Sequence, residues 1–455
     1  MLVVVAVYLH RLAYRSGLAR AAIAGCAYGQ QVQNPSEVWA QVLTAVIEES
    51  YLMRAEQLSA TLDRAVRPVG LTAQVLMVDL AQRLLHPVPA GPPLMVEATM
   101  AGRAYQLMEF VPATDRAGTR LLWVPLLDGT ERVGVLRIGM ADDVVDDPEL
   151  RRWLWSLAGL TGHIVMTKLA YSIGLQQLRA TGLSTASELL WQLLPPRTFA
   201  TDRVVIAASL EPTDQVAGDA YDYAVDHTVD LAVFDGVGHD LMAGLTTTLA
   251  VTAIRNARRR GITDLAALAD HADAVLAAQD GPLRFVTAVL ARLDTDTGEL
   301  SYLLAGHPPP LLLRNGRMIK HLVHPPRPPL GVTGPTIPMP ANIVAREQLE
   351  PGDRVLLYSD GITEARDTHG KFFGEQRLVD MTERAELDGL SAPETLRRLV
   401  AAVLTHQHDR LQDDATLLLL EWARDGHLRL FPAGVLTSAH RDITPPQMTP
   451  AFGPQ

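Results

Sequence analysis

Residues 229–239 read Val-Asp-Leu-Ala-Val-Phe-Asp-Gly-Val-Gly-His, an apolar run that ends in an aspartate and a glycine-rich turn. The second half of that stretch is one of six short motifs, four of which place an aspartate at the beginning or end of a β-like run. In order they are Val-Ala-Gly-Asp-Ala-Tyr-Asp (216–222), Phe-Asp-Gly-Val-Gly-His (234–239), Phe-Val-Thr-Ala (285–288), Ala-Gly-His-Pro-Pro (305–309), Tyr-Ser-Asp-Gly (358–361) and Asp-Asp-Ala-Thr (413–416). We expect the strands to bring these carboxylates to the rim of one sheet. Ligands that are all oxygen suit Mg²⁺ or Mn²⁺ rather than zinc.

Composition limits the class of protein. The chain has 455 residues, which favours two domains with connecting helices over a single core. With 48% hydrophobic and 20% charged residues it is typical of a folded soluble protein, and its net charge of −11 argues against a nucleic-acid partner. Cys26 is the single cysteine. An intramolecular disulfide and a cysteine metal cage are therefore excluded, and a reducing cytoplasm is the expected location.

The first segment, residues 1–36, is assigned to no domain. Met1–Leu9 is apolar, and the basic residues His10, Arg11 and Arg15 come only after it. A signal peptide carries its charges before the apolar segment, and a membrane span needs ~20 apolar residues. We therefore expect a short buried or poorly ordered segment here, and no membrane partner.

Residues 37–147 alternate helix-like and strand-like patterns. The apolar runs 75–78 and 121–126 are typical of buried strands, and Asp128-Gly129 predicts a hairpin into the run 132–138. The stretch from Trp123 to Ile138, preceded by a helix start of small residues at 101–104, resembles a GAF sensor domain. The resemblance implies a six-stranded sheet flanked by helices, and a pocket for a small ligand that no residue identifies.

Residues 148–194 are compatible with helix almost throughout and end at Pro195-Pro196. Two interpretations stay open. The first is a dimer-forming rod between a sensor and an effector, which the length of the stretch and its position between two domains favour. The second is a core helix of the first domain. The first interpretation predicts a homodimer.

Residues 195–423 show a strand-rich pattern that two helix pairs interrupt. Strands are predicted at 204–208, 229–234, 285–293, 300–304, 311–313, 318–323, 354–358 and 415–421, and helices at 238–260, 264–279, 375–385 and 392–405. This order predicts two sheets that are covered by helices on both outer faces. The expected fold class is therefore α+β, an αββα sandwich preceded by an α/β domain and a linking helix. The tail, residues 424–455, is expected to be disordered.

The six motifs resemble the bacterial branch of the metal-dependent, type 2C protein phosphatases, the stage II sporulation type of serine phosphatase. Their order, spacing and flanking strands agree with that pattern over residues 195–422. The resemblance implies hydrolysis of phosphoserine or phosphothreonine with two Mn²⁺ or Mg²⁺ ions. It also implies that Asp219 and Asp235 bridge the ions, that the Gly236 carbonyl completes one coordination sphere, and that Asp360 and Asp413 hold the second ion.

Each motif by itself has a simpler interpretation. Asp-Gly after a strand, as at 235–236 and 360–361, is commonly only a turn. The joint match to one template is what favours a metal site. Asp414 is the alternative ligand to Asp413, and the family pattern favours Asp413. His307 could equally orient a loop that lines the site or fill a gap in the core.

The first motif departs from the family, since Ala217 and Ala220 replace a glycine and an aromatic residue. The metal carboxylates are intact, so we expect an active serine/threonine phosphatase that the first domain regulates. The resemblance implies that its substrate is a phosphorylated regulatory protein of the anti-sigma-factor antagonist type. The alternative is a catalytically silent regulator that binds a partner through the same fold.

Overall fold

The computed structural model describes residues 34–179, 190–213, 218–238, 241–279, 284–332 and 343–435. The apolar first residues, His239 and the end of the tail, residues 436–455, lie outside these ranges, so the predictions made for them stay predictions. The chain divides into a unit of residues 1–44 and a unit of residues 45–455. In the first unit only the beginning of helix α1 (Pro35–Ser50) is described.

The second unit begins with an antiparallel sheet of six strands. These are β1 (Leu71–Val78), β2 (Leu84–Pro87), β3 (Leu94–Met95), β4 (Val111–Thr114), β5 (Arg120–Asp128) and β6 (Glu131–Met140), in the order β3-β2-β1-β6-β5-β4. Helices α2 (Leu58–Val66) and α3 (Met100–Leu107) belong to the same region, and Tyr105 of α3 packs into a cluster with Leu76 and Trp123. The hairpin expected at Asp128-Gly129 joins β5 to β6. Six strands with flanking helices are what the GAF resemblance implied, and membership of that family stays a prediction.

The stretch that follows contains two helices, α4 (Pro148–Leu169) and α5 (Ile173–Arg179). Asp147 caps α4 by accepting a hydrogen bond from the Leu150 amide at 2.8 Å. Leu154, Leu157 and Val165 of α4 are buried. A Cβ at Gly162 would overlap the Leu127 carbonyl, so glycine permits α4 to lie directly on β5. In the described residues this helix is therefore part of the core of the first sheet, as the second interpretation expected, and residues 180–189 of the predicted rod lie outside the description.

Two further sheets form the rest of the unit, and all of their strand pairs are antiparallel. One sheet has the order β15-β12-β11-β10-β9, and the other has the order β14-β13-β16-β17-β8-β7. Their strands are β7 (Thr198–Ala200), β8 (Val204–Glu211), β9 (Ala220–Val225), β10 (Thr228–Gly236), β11 (Val286–Asp294), β12 (Glu299–Ala305), β13 (Leu311–Arg314), β14 (Arg317–His321), β15 (Val344–Gln348), β16 (Asp353–Tyr358) and β17 (Ala415–Trp422).

The run of leucines in β17 explains how these two sheets are layered. Leu418 and Leu420 pack with β10 and β11 in the core between the sheets. Leu417 and Leu419 point the other way and join a second core under the last helices. Because successive side chains of a strand face opposite sides, a strand that is buried on both faces must be apolar almost throughout. The αββα sandwich predicted from the sequence is confirmed.

Two helix pairs cover the sandwich. The first pair is α6 (Leu241–Arg259) and α7 (Leu265–Ala277), whose small residues such as Ala250 and Ala257 are buried in the core between the sheets and helices. The short helix α8 (Asp360–Thr363) comes next, followed by the second pair, α9 (Glu375–Leu387) and α10 (Ala392–His406). Helix α10 lies against β8 and β17.

The prediction that the chain is disordered from residue 424 onwards was wrong for its first part. Residues Gly426–Leu430 form a 3-10 turn, and Leu430 is buried in the core under α9 and α10. The Phe431 ring meets Trp155 edge-on, with 6.1 Å between centroids. Two apolar side chains without periodicity give no helix or strand pattern, although they are enough to fix a short turn on a finished core.

Among the described residues, no helix is both long enough and apolar enough to cross a membrane.

Candidate metal centre

Four aspartates predicted as ligands lie at strand ends on one side of the sandwich. Asp235 is the second-last residue of strand β10. The pairing of Phe234 with Ala220 places Asp219, directly before β9, beside it. On the other sheet, the amide of Ser359 donates to the Thr416 carbonyl at 3.0 Å, which brings Asp360 next to the segment that carries Asp413. The structure therefore brings together residues that are separated by almost 200 positions in the sequence.

Within the described part of the chain, one oxygen of the buried Asp219 carboxylate, Oδ2, has no hydrogen-bond partner, while the Ser359 and Thr416 side chains lower the pKa of the same group. The residue is 2% exposed. Burial raises its pKa well above the usual value, and the negative charges of Asp235 and Asp414 add to the effect. A buried carboxylate oxygen without a donor is unfavourable unless a cation balances it. A divalent cation bound at this oxygen would supply the missing partner.

The neighbouring carboxylates repel one another. The pKa of Asp235 is raised to about 7, first by burial and then by the charges of Asp360, Asp413 and Asp414. The pKa of Asp360 is raised by burial and by Asp413 and Glu364. In the described residues, no three acidic, histidine or cysteine side chains already close around one point as a metal cage. The group is an open cluster of crowded carboxylates, and divalent cations bound to its oxygens would relieve that repulsion.

Gly236 and Gly218 allow the backbone of the two strands to come close at this point. The Gly236 amide donates to the Gly218 carbonyl at 3.1 Å, and the hydroxyl of Thr247 on α6 donates to the same carbonyl at 2.6 Å. A Cβ at Gly236 would overlap the Thr247 hydroxyl. The glycine predicted as a carbonyl ligand thus lies within the cluster. Thr247 was missed by the sequence reasoning, because a threonine within a helix of small residues gives no signal.

Asp414 has a different task from Asp413. Its Oδ1 accepts hydrogen bonds from the Thr213 amide at 2.8 Å and the Thr213 hydroxyl at 3.0 Å. Its Oδ2 accepts from the amide of Gly218, directly before Asp219. Asp414 is 2% exposed, whereas Asp413 is exposed. The carboxylate of Asp414 therefore ties Thr213 and Gly218 to the segment before β17, whereas the exposed Asp413 accepts one hydrogen bond, from the Asp414 amide at 2.9 Å.

His307 links the two sheets behind the aspartates. Its Nε2 donates to the Tyr358 carbonyl at 3.1 Å, and its Nδ1 accepts from the Thr287 hydroxyl at 2.8 Å. Burial lowers the pKa of His307 to about 4, so the ring is neutral at pH 7. The sequence left two roles open for His307. These bonds favour the role in which His307 holds a segment that lines the site, since they reach the segment from Tyr358 to Asp360.

Asp222 also anchors the site. It is 1% exposed and its Oδ1 accepts hydrogen bonds from Arg255 at 2.9 and 2.6 Å, while Arg258 pairs with its Oδ2. Both arginines are on α6, so the ion pairs hold β9, which follows Asp219, against that helix. Arg258, in the last turn of α6, thus has a buried partner that lies 36 residues earlier in the chain.

Comparison with known proteins agrees with this geometry. The family model of stage II sporulation protein E matches residues 225–423. Residues 225–423 belong to the stage II sporulation protein E family. The match takes in three of the four aspartates, and Asp219 lies six residues before it.

Two curated proteins are similar over this region. Protein IcfG of Synechocystis is 29% identical over 206 residues, which are 38% of this chain and 31% of IcfG. The phosphoserine phosphatase RsbU of Bacillus subtilis is 25% identical over 251 residues, which are 54% of this chain and 72% of RsbU. The chain thus spans about a third of the length of IcfG. Among solved structures, the SiaA-PP2C domain of Pseudomonas aeruginosa aligns with a TM-score of 0.41 at 24% identity, over 49% of this chain and 85% of that one.

Proposed function

We propose that the chain is a metal-dependent protein serine/threonine phosphatase whose reaction takes place at the aspartate cluster. The observation that carries the proposal is the unpaired, buried Oδ2 of Asp219 among carboxylates whose pKa values are raised. Such oxygen ligands suit two Mn²⁺ or Mg²⁺ ions. When bound, two such ions supply a water of lowered pKa and neutralise charge on the phosphoryl oxygens.

The residues of the chain divide into ligands and positioning residues. Asp219, Asp235, Asp360 and Asp413, together with the Gly236 carbonyl, would hold the two ions. Asp414 and His307 touch neither ion in this proposal. They fix the segments that carry Asp219 and Asp360, so that four carboxylates from two sheets keep one arrangement.

The substrate in this proposal is a phosphoserine or phosphothreonine of a regulatory protein, of the anti-sigma-factor antagonist type. The similarity to RsbU, which is named a phosphoserine phosphatase, supports it. The exposed surface beside the cluster supports a protein substrate as well. Four large apolar side chains, Val237, Leu241, Met242 and Leu245, are between 38% and 51% exposed there. An apolar patch next to a reactive centre is typical of a surface that receives another protein.

The alternative, a silent regulator that binds a partner through this fold, requires that the cluster does no chemistry. The test is hydrolysis of a generic aryl phosphate by the full chain, with and without Mn²⁺. The proposal expects turnover that depends on Mn²⁺ and stops on chelation. A chain that binds Mn²⁺ and still shows no turnover of the aryl phosphate or of phosphoproteins would favour the silent regulator.

Homodimerisation and a cytoplasmic location stay predictions of the sequence. The rod that suggested a dimer is, in its described part, packed on the first sheet through Leu154 and Leu157. Light scattering on the full chain would decide the point, since a monomer would contradict the dimer.

A further inference from the structure

A second cluster of buried charge lies away from the aspartates, where the first sheet meets α10 and β7. Arg132 of β6 reaches Glu394 at the start of α10, with 3.3 Å between the charged atoms, and donates to the Pro393 carbonyl at 3.1 Å. It also donates to Gln82 at 2.8 Å. Glu394 in turn binds Arg397 at 2.8 Å. Arg132, Glu394 and Arg397 are each less than 9% exposed, and each of these three charges has a partner of opposite charge.

Two other arginines in the same place are not balanced. Arg197, directly after Pro195-Pro196, is 8% exposed, and its Nε atom has no hydrogen-bond partner in the described residues. Its guanidinium stacks on the Trp191 ring, 4.8 Å from the centroid. Arg179, at the end of α5, has a contact of 3.6 Å to the Met166 sulfur. Among the described residues, neither arginine forms an ion pair with a carboxylate, although the charge of Arg197 lowers the pKa of Glu211, which burial raises.

The two guanidiniums also act on each other. The pKa of Arg179 is lowered, first by burial and then by the positive charge of Arg197. Glu131 attracts Arg179, and Arg197 in turn attracts the carboxylate of Glu211. Arg197 is buried and Arg179 is partly exposed, so in the described residues the two like charges repel each other with little screening by water, and an anion between them would relieve that repulsion.

A cavity lies between these arginines. Its volume is about 20 Å³, and both Arg179 and Arg197 line it together with Arg132, Tyr105, Glu131 and Asp79. That volume is enough for one small ion or one or two waters, and it is too little for an extended organic ligand.

The two carboxylates that line the cavity, Asp79 and Glu131, already accept hydrogen bonds from backbone amides. Asp79 Oδ1 accepts from the amides of Arg83 at 2.7 Å and Leu84 at 3.1 Å. Glu131 Oε2 accepts from the Thr198 amide at 2.9 Å. Three guanidiniums against two carboxylates leave the lining with a net charge of +1, and Arg132 already has Glu394 as a partner.

We propose that this cavity binds a small oxyanion, a single phosphate or carboxylate group, between the guanidiniums of Arg179 and Arg197. Guanidinium groups bind such oxygens through paired N–H donors, and this geometry favours an oxyanion over a halide. The site differs from the metal centre in its charge and in its residues. It joins the end of α5, the first sheet and the start of the sandwich, so its occupant holds together the segments that connect the two halves of the unit.

The test is thermal unfolding of the full chain with inorganic phosphate as the probe. A chelator keeps the metal centre empty, and sodium chloride keeps the ionic strength constant. We expect phosphate to raise the Tm of the wild type by about 3 °C or more at saturation. Arg179→Gln and Arg197→Gln should show no rise. Arg203→Gln is the matched control, because Arg203 is exposed and pairs with Asp296, and it should respond like the wild type.

A wild type that does not respond to phosphate or to acetate would overturn the proposal. So would an equal rise in Arg197→Gln, since the anion would then bind elsewhere. If the two variants do not fold, crystals of the wild type soaked in selenate give a direct answer. The anomalous signal should lie between Arg179 and Arg197, and crystals with no peak at that position would refute the site.

Discussion

The aspartate cluster brings several carboxylates close together, so that their pKa values are raised. Burial and the negative charges of Asp360, Asp413 and Asp414 raise the pKa of Asp235 to about 7, far above that of an aspartate in an unfolded chain. The folded protein therefore holds a proton that the unfolded chain has already released near pH 4. Between about pH 4 and pH 7 only the folded state binds this proton, so the protein loses stability as the pH rises through that window, and the loss is complete above it.

This leads to a prediction for the protein without metal. Between pH 5 and pH 8 the free energy of unfolding of the wild type should fall, whereas that of Asp235→Asn, which has no proton to lose, should fall by about 2–3 kcal/mol less. Urea unfolding at the two pH values, in the presence of a chelator, measures the difference. The same pH dependence in both chains would show that Asp235 is not crowded by its neighbours.

Asp413 and Asp414 are adjacent residues with opposite predicted effects. Asp413→Asn should weaken the response of turnover to Mn²⁺ and leave stability almost unchanged, because its side chain is exposed. Asp414→Asn should lower stability by about 1–3 kcal/mol, since an amide nitrogen would face the Gly218 amide that now donates to Oδ2. Thermal unfolding and a Mn²⁺ titration of both variants test the assignment. Loss of the Mn²⁺ response in Asp414→Asn, with stability intact, would reverse it.

At the scale of elements, the link through His307 explains why two motifs without acidic residues accompany the aspartates. Thr287 comes from the third motif and His307 from the fourth, and their hydrogen bonds end on the carbonyl of Tyr358 in the fifth. The bonds cross from one sheet to the other, so they set the position of Asp360 relative to Asp235.

His307→Asn should therefore lower turnover by about tenfold, well short of the loss of a ligand. Because the ring is already neutral above its pKa of about 4, the pH profile of turnover between pH 6 and pH 9 should keep its shape. Steady-state assays across that range provide the check. A complete loss of activity, or a changed pH profile, would mean that His307 takes part in the reaction itself.

The elements that carry the aspartates could be predicted because their strands are long and apolar. The strands 204–208 and 415–421 were expected within a few residues of β8 and β17, as was the helix that became α10. Strands β7, β9 and β15 were not predicted. Asp222 and two tyrosines interrupt Ala220–Val225, and Val344–Gln348 is mostly polar, so neither has the aliphatic run that marks a buried strand.

The positioning residues of the site could not be predicted from the sequence either. Asp414 and Asp222 are buried by contacts with residues far away in the chain, namely Gly218 and Arg255. A lone aspartate gives the same signal whether it binds a metal, caps a turn or pairs with an arginine. Only the fold distinguishes these cases.

At the scale of the whole molecule, substrate selection should depend on the surface beside the metal centre, since a metal pair recognises any phosphate. Met242 is 46% exposed at the start of α6, in the apolar patch next to Asp235. Met242→Glu should lower kcat/KM for a phosphorylated protein substrate by about tenfold or more and leave turnover of an aryl phosphate unchanged. Ile319→Glu is the matched control, because Ile319 is 51% exposed on β14. Equal effects of the two variants on the protein substrate would contradict a role for the patch.

If the aspartate cluster holds the cations that catalyse hydrolysis, the loss of one carboxylate should abolish turnover, which a comparison of three chains measures. Mn²⁺-dependent turnover of an aryl phosphate is measured for the wild type, for Asp235→Asn and for Asp226→Asn, an exposed aspartate in the turn that leads into the same strand. Asp235→Asn should lose ~10³-fold or more in turnover, because both ions lose a shared charged ligand, while keeping its fold. Asp226→Asn should match the wild type. Turnover by Asp235→Asn within tenfold of the wild type would contradict the account.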